Sequence, residues 1–256
     1  MDSKMESKTL AIIMAAGYGT RMGDIGVPKT MLPDGKDRHF IDDALTFLKY
    51  AGVTLDFAVM SRNEEFFAGQ NTYLQEHCNS GKFDVLYQKT GPADHVIAYI
   101  KECFMNRAFR ESIKKYDRVV LLPGDHKLTS SELNLVDLIE AHKRRQADVS
   151  SVYASGTAGS SAVKELIRVD NEGMMEYVAD GRVSDVSSIH PKEGAIEVTG
   201  TGVWVLNNSF ITVLKVVTSY LYNKCTHGKI PSVMRWHPYL IDQWSGGRDT
   251  PQSIGK

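Results

Sequence analysis

Short apolar runs alternate with stretches of helical spacing over the first 154 residues of the chain. Short runs bounded by turn-forming residues are typical of buried strands, and apolar residues three and four positions apart are typical of helices. The predicted strands are residues 9–14, 55–60, 83–87, 118–122 and 148–154, and the predicted helices are residues 41–50, 64–76, 93–109 and 130–146. Repeated alternation of strand and helix predicts an α/β fold with a doubly wound, mostly parallel, Rossmann-like sheet.

The pattern changes after Ser155. Small residues fill positions 156–161, and residues 166–178 then read as a hairpin with Gly173 at its turn. Another strand is predicted at residues 203–206. The second part of the chain is therefore expected to add a small β-rich lobe.

Composition and charge narrow the class of protein. At 256 residues, 42% of them apolar, the chain can bury a sizeable core, and we predict a single domain over residues 1–256 with halves at 9–154 and 155–256. The formal net charge of −1 gives no basic excess, so no nucleic-acid partner is expected. Cys78, Cys103 and Cys225 are too widely spaced for a zinc motif or a disulfide framework, which favours a reducing cytoplasm.

The amino terminus allows two interpretations. Residues 10–16 resemble the apolar core of a signal peptide, but Asp2 and Glu6 are out of place in the basic leader that such a peptide needs. We interpret this run as the first strand instead. No later stretch approaches the ~18 apolar residues of a spanning helix, so no membrane association is expected.

The loop after this first strand carries the clearest chemical signal. Gly17 and Gly19 flank a single residue, so backbone N–H groups can turn toward an anion, and Arg21 adds a fork of donors suited to phosphate. Pro28 and Lys29 follow within reach of the same anion. No apolar periodicity is present to bury Arg21 or Lys29. The loop is predicted to hold a triphosphate.

A dinucleotide-binding turn is the alternative for this loop. Its third glycine would fall at Met22, and the strand that should supply an acidic residue about 20 positions later is missing, because the next apolar run begins at residue 55. A Walker-type loop is excluded, since no Gly-Lys-Ser/Thr follows the first glycines.

Two later strands end in residues with the same kind of chemistry. Gly124-Asp125 follows the run at 118–122, and Gln88 follows the run at 83–87. In open α/β sheets ligands bind beyond the carboxyl ends of the strands, so both would face the crevice of the glycine loop. A plain turn and a solvated strand end are the alternatives.

The order of these motifs resembles that of the sugar-1-phosphate nucleotidyltransferases, the enzymes that make nucleotide sugars. The family signature of Gly-x-Gly-Thr-Arg, a spacer, Pro-Lys and an apolar-Leu-Pro run reads here as residues 17–21 and 28–33. Residues 88–95 resemble the base-reading segment, and residues 121–125 resemble the strand end whose Asp holds magnesium. Thr199-Gly200-Thr201-Gly202 resembles the segment that lines the sugar.

The resemblance implies a GT-A-like nucleotidyltransferase fold, with a nucleotide-binding half at 9–154 and a sugar-phosphate-binding half at 155–256. Its implied substrates are a nucleoside triphosphate and a sugar-1-phosphate, with Mg²⁺ as cofactor, and homo-oligomer formation is left open. Arg21 and Lys29 are the implied catalytic cations, and Asp125 is the implied metal ligand. The implied substrate-binding residues are Ala16, Gly17, Gly19, Thr20, Gln88, Gly91, Gly124 and Gly202.

Two departures from the family pattern leave alternatives open. The family's Glu-Lys-Pro is absent at residues 177–181, and Lys192 is the candidate replacement for its lysine, although a solvated loop lysine is the alternative. Near the carboxyl end Gly247 stands where the second metal Asp would align, so Asp242 or Asp249 is the candidate. A cytidylyltransferase for a non-sugar phosphate and a catalytically silent nucleotide-sugar-binding homologue stay as alternatives.

Overall fold

The computed structural model describes residues 8–19, 22–35, 37–51, 56–78, 83–88, 111, 113–155, 164–180, 194–209, 227–229 and 234–243. Ten strands are defined: β1 (Thr9–Met14), β2 (Asp56–Arg62), β3 (Phe83–Gln88), β4 (Arg118–Pro123), β5 (Val149–Ala154), β6 (Lys164–Val169), β7 (Met175–Asp180), β8 (Ile196–Asn207), β9 (His227–Lys229) and β10 (Trp236–Ile241). The described α-helices are α1 (Ile41–Lys49), α2 (Ala68–Cys78) and α3 (Leu135–Arg144), and 3-10 turns occur at Lys29–Met31 and Glu65–Phe67. The predicted helix at 93–109 lies outside these residues.

All ten strands belong to one sheet, in which β3, β2, β1 and β4 lie side by side and run parallel. The long strand β8 runs antiparallel to β4 on one side and to β5 on the other, and β10 adds to β5 in parallel. Antiparallel strands β6, β7 and β9 extend the sheet from the first residues of β8. Only β7 and β8 oppose the common direction, so the predicted α/β, mostly parallel sheet with flanking helices is confirmed.

The core lies on both faces of the sheet, which explains the nearly continuous apolar run of β1. Leu10 and Ile12 belong to one buried cluster. Ala11 and Ile13 belong to the other, together with residues of α1 and α3. A strand buried on both faces has no position where water would favour a polar side chain.

Helix α3 begins later than the sequence suggested. The expected start near Ser130 is wrong, because Asn134 caps the helix by accepting hydrogen bonds from the Val136 and Asp137 N–H groups. The Thr129 hydroxyl instead donates to Glu132 at 2.7 Å within a turn. Thr129 and Glu132 therefore bond to each other in a turn that precedes the helix.

The predicted hairpin is confirmed, and two strands, β9 and β10, were missed. β6 and β7 pair in antiparallel fashion around a turn in which Gly173 has φ of 77°, a conformation that favours glycine. Strand β10 was not predicted, because Pro238 interrupts its apolar pattern. Proline is tolerated there because β10 pairs through one side only among the described strands.

No helix in the described parts of the chain is long and apolar enough to cross a membrane.

Candidate functional site

The ends of β1 and β4 meet at the carboxyl edge of the sheet. The Gly124 N–H donates to the Met14 carbonyl at 3.0 Å, which ties the loop after β4 to the last residue of β1. A Cβ on Gly124 would lie 2.9 Å from that same carbonyl oxygen and 3.1 Å from the Thr30 side chain. Only glycine allows this close approach, so the loops after β1 and β4 and the turn at Lys29–Met31 converge on one point.

A partly buried ion pair occupies the point of convergence. Lys29 Nζ lies 2.6 Å from Asp125 Oδ2, and the two side chains are 8% and 24% exposed. The expectation that nothing would bury Lys29 is therefore wrong: Lys29 is held against the sheet by its place in the 3-10 turn. The pair joins two motifs that are 96 positions apart.

The Asp125 carboxylate is held in its charged form. Burial acts to raise the pKa of Asp125, but the charges of His126 and Lys29 and the hydrogen bond from Lys29 outweigh it and leave that pKa below its ordinary value. His126 Nε2 lies 3.7 Å from Asp125 Oδ1. His126 Nδ1 donates to the Thr201 carbonyl at 2.8 Å, which fixes the ring between β4 and β8.

Three consecutive backbone donors of the glycine loop have no partner in the described part of the chain. The N–H groups of Gly17, Tyr18 and Gly19 donate to no other residue within the described ranges. Gly19 has φ of 69°, and its Cα faces the Lys29 side chain so closely that a Cβ would come within 3.1 Å of Lys29 Cβ. The loop therefore brings unsatisfied donors next to the buried lysine, an arrangement suited to an anion.

Two buried polar side chains donate hydrogen bonds to the carbonyl groups at the start of this loop, and neither was predicted from the sequence. Arg62 Nε donates to the Ala16 carbonyl at 2.8 Å, and Gln70 Nε2 donates to the Ala15 carbonyl at 2.8 Å. The available signal was the polar pair Ser61-Arg62 at the end of the apolar strand β2. A strand that ends in buried polar residues at the ligand edge of a sheet is a reason to look for contacts with neighbouring loops.

Gly202 and Gln88 lie at or beside the same edge. Gly202 has φ of 76°, and a Cβ there would lie 3.6 Å from the His126 ring, so β8 passes directly beside the end of β4. Gln88 ends β3 opposite Arg62 of the parallel strand β2. Thr20, Arg21, Gly91 and Lys192 lie outside the described residues, and their predicted roles stay predictions.

Asp242 lies apart from Asp125. It directly follows β10, and β8 and β5 lie between β10 and β4. Three strand spacings of about 4.8 Å separate the two strand ends by roughly 14 Å. Within the described residues no group of three His, Cys, Asp or Glu side chains could hold a metal ion.

No protein-family profile and no curated protein matches the chain. Among solved structures, the fold is similar to that of a candidate glucose-1-phosphate thymidylyltransferase from Bacillus anthracis in complex with sucrose. The TM-score is 0.64 at 15% sequence identity, over 96% of this chain and 92% of that chain. The likeness covers both halves of the chain and shows that they share the fold of that protein.

Proposed function

We propose that this chain is a nucleotidyltransferase that joins a nucleoside triphosphate to a sugar-1-phosphate, giving a nucleotide sugar and pyrophosphate. The observation that carries the proposal is the Lys29–Asp125 pair, 2.6 Å apart and beside the Gly17–Gly19 loop, whose N–H groups have no partner among the described residues. A cation, a carboxylate and a row of amide donors around one point suit the binding of a polyphosphate. The fold that the chain shares with a candidate thymidylyltransferase supports the same reaction class.

The chemistry asks the protein for placement and charge. An oxygen of the acceptor phosphate attacks the α-phosphorus, the bond from that phosphorus to the α,β-bridging oxygen breaks, and pyrophosphate leaves with the electron pair. A phosphate oxygen is already ionised near neutral pH, so no general base is required. Lys29 would neutralise charge at the α-phosphate, and Arg21 would hold the leaving β- and γ-phosphates.

Asp125 fits Mg²⁺ as a single carboxylate ligand. Its Oδ2 accepts from Lys29, its Oδ1 lies 3.7 Å from His126, and its charged form is favoured. Mg²⁺ is often held by only one or two carboxylates together with water and substrate phosphates, so one protein ligand is compatible with it. When bound, the ion would neutralise charge that develops on the phosphate oxygens. A second carboxylate from Asp242 stays a prediction.

We expect a pyrimidine triphosphate as donor. Gln88 carries a donor and an acceptor on one amide, which can pair with uracil or thymine, or with cytosine when the amide is turned over. The position of Gln88 at the carboxyl end of β3, beside β2, supports its access to the ligand edge. The acceptor would bind in the half that contains Gly202, and Lys192 is the candidate for its phosphate.

A nucleotide-binding protein without turnover is the second candidate. The observation that favours it is that the described residues include no group of three His, Cys, Asp or Glu side chains that could hold a metal ion. Within the enzyme class, the acceptor is either a sugar-1-phosphate or a phosphorylated alcohol.

Pyrophosphate release separates these candidates. The protein is mixed with Mg²⁺, each of UTP, dTTP, CTP, ATP and GTP, and a panel of sugar-1-phosphates and phosphorylated alcohols. We expect release that requires both a pyrimidine triphosphate and one acceptor. Triphosphate binding without release for any acceptor would favour the silent homologue, and release with a phosphorylated alcohol alone would favour the cytidylyltransferase. A Lys114→Met variant, altered at an exposed position, serves as the matched control for a Lys29→Met variant.

A further inference from the structure

A network of buried polar side chains lies between the glycine loop and helix α2. We define it as the brace: Gln70, Ser61, Asn71 and Arg62, together with Thr30 of the 3-10 turn. Their exposed fractions range from 0% for Gln70 and Ser61 to 9% for Asn71. None of these residues belongs to the ion pair at Lys29 and Asp125, and only Thr30 lies within a motif that the sequence analysis identified.

Gln70 connects the two segments of the candidate site. Its amide nitrogen donates to the Ala15 carbonyl and to the Ser61 hydroxyl, each at 2.8 Å, and its amide oxygen accepts from the Thr30 hydroxyl. Because a carbonyl can only accept, the bond to Ala15 fixes which way the amide points. One side chain of α2 thus holds both the start of the glycine loop and the residue after Lys29.

The remaining bonds of the brace have only one consistent direction. Asn71 donates to the Arg62 carbonyl at 2.8 Å, so its oxygen must accept from the Ser61 hydroxyl, which lies 2.6 Å away. Ser61 then has a lone pair left for Gln70. These hydrogen bonds join Gln70 and Asn71 of α2 to Ser61 and Arg62, the last two residues of β2.

Arg62 forms the second connection to the loop. Its Nε donates to the Ala16 carbonyl at 2.8 Å, and its guanidinium carbon lies 4.5 Å from the centre of the Tyr18 ring. The Tyr18 hydroxyl donates to Glu64, which lies 3.5 Å from Arg62 Nη1. The loop residues on both sides of Gly17 are therefore held by one buried arginine.

We propose that Gln70 and Arg62 are positioning residues that hold the glycine loop and the Lys29 segment in the geometry that binds a triphosphate. This inference rests on the proposed function. The carbonyls of Ala15 and Ala16 are bonded to these side chains, and the N–H groups of Gly17, Tyr18 and Gly19 that follow have no partner among the described residues. Binding then needs little ordering of the loop, and preorganisation of this kind raises affinity.

The energetics separate this role from plain stability. A buried polar network stabilises a fold only slightly compared with apolar residues of the same shape, because its groups lose their bonds to water on folding. Gln70→Met and Arg62→Met retain most of the side-chain volume and remove the bonds to the loop. Each variant leaves a loop carbonyl without its buried donor, so the melting temperature should fall, and a positioning role predicts a loss of ligand affinity in addition.

The test measures binding of inorganic tripolyphosphate, of each nucleoside triphosphate and of the parent nucleosides by calorimetry, at a temperature well below the melting point of every variant. We expect Gln70→Met and Arg62→Met each to weaken triphosphate and tripolyphosphate binding by about tenfold, the equivalent of one net hydrogen bond. Arg62→Lys should recover part of the loss. Arg38→Met removes an exposed arginine that pairs with Asp43, and it should bind like the parent.

Turnover gives a second readout that a purely structural role would not change. In the brace variants the KM for the triphosphate should rise by about tenfold, while the KM for the acceptor stays that of the parent. If Gln70→Met fails to fold, Thr30→Val tests the same link, because it cuts the bond to Gln70 and keeps the shape of the side chain.

The outcomes are distinct. Variants with lower melting temperatures but the parent's triphosphate affinity and KM would overturn the positioning role and leave the proposed function intact. A parent protein that binds neither tripolyphosphate nor any nucleoside triphosphate would refute the proposed function, and this inference with it.

Discussion

Stability and turnover should respond differently when the Lys29–Asp125 pair is removed. Lys29→Met leaves a carboxylate that is 24% exposed and still 3.7 Å from His126, so we expect a loss of about 1–3 kcal/mol in the free energy of unfolding. Asp125→Asn leaves an ammonium group that is only 8% exposed, and its expected cost is about 3 kcal/mol. The double variant leaves no unpaired charge in the pair and should recover at least about 1 kcal/mol of the summed loss.

Urea unfolding at pH 7 measures the four proteins of this double-mutant cycle, and pyrophosphate release measures their turnover. Turnover should fall by about 10²–10³ in both single variants and should not recover in the double variant, because the chemistry needs both charges. The exposed pair of Lys114 and Glu111, 2.7 Å apart, is the matched control and should couple by no more than about 0.5 kcal/mol. A buried pair that couples no more strongly than this control, or a Lys29→Met variant with parental turnover, would refute the reasoning.

Three further predictions follow from single residues. Gly124→Ala should lower the free energy of unfolding by about 1–3 kcal/mol and remove most of the activity, because its Cβ would meet the Met14 carbonyl. Gly69→Ala places its Cβ in open space and should keep the parent's stability and activity, so equal stability of the two variants in urea unfolding would contradict this. Burial lowers the pKa of His237 to about 4, so between about pH 6.5 and 4 the unfolded chain binds a proton that the folded protein does not. The free energy of unfolding should therefore fall by about 1–3 kcal/mol as the pH is lowered through this range. His237→Gln should flatten that pH profile, and an unchanged slope would contradict the prediction. Gln88→Ala should reduce the preference among triphosphates in kcat/KM, and a parent that prefers a purine or a variant with unchanged selectivity would remove Gln88 from base reading.

The sequence pattern predicted the strands, the hairpin turn and the edge of the sheet where the loops meet, because these features depend on short segments and on their order. The run of β1 is apolar because both faces of that strand are buried. The hairpin turn could be predicted at Gly173 because its backbone has a positive φ, which glycine adopts readily. The meeting of Gly124 with the end of β1 followed from the rule that parallel strands gather their carboxyl ends at one edge. These expectations needed the order of elements and no knowledge of individual contacts.

The features that were missed depend on contacts between distant residues. The local pattern gave no sign that Lys29 would be buried, because its ion-pair partner Asp125 lies 96 positions later. The bonds from Arg62 and Gln70 to the glycine loop span 46 and 55 positions. A buried polar side chain has no periodicity of its own, so its role becomes visible only when its partner is known.

The fate of the phosphorus atoms tests the central claim most directly. The protein is incubated with Mg²⁺, an acceptor phosphate and a nucleoside triphosphate that is labelled at the α-phosphorus in one sample and at the γ-phosphorus in another. The account predicts that the α-label moves into a product that also contains the acceptor, while the γ-label leaves as pyrophosphate. A γ-label found on the acceptor, or both labels retained in unreacted triphosphate that is nevertheless bound, would contradict it.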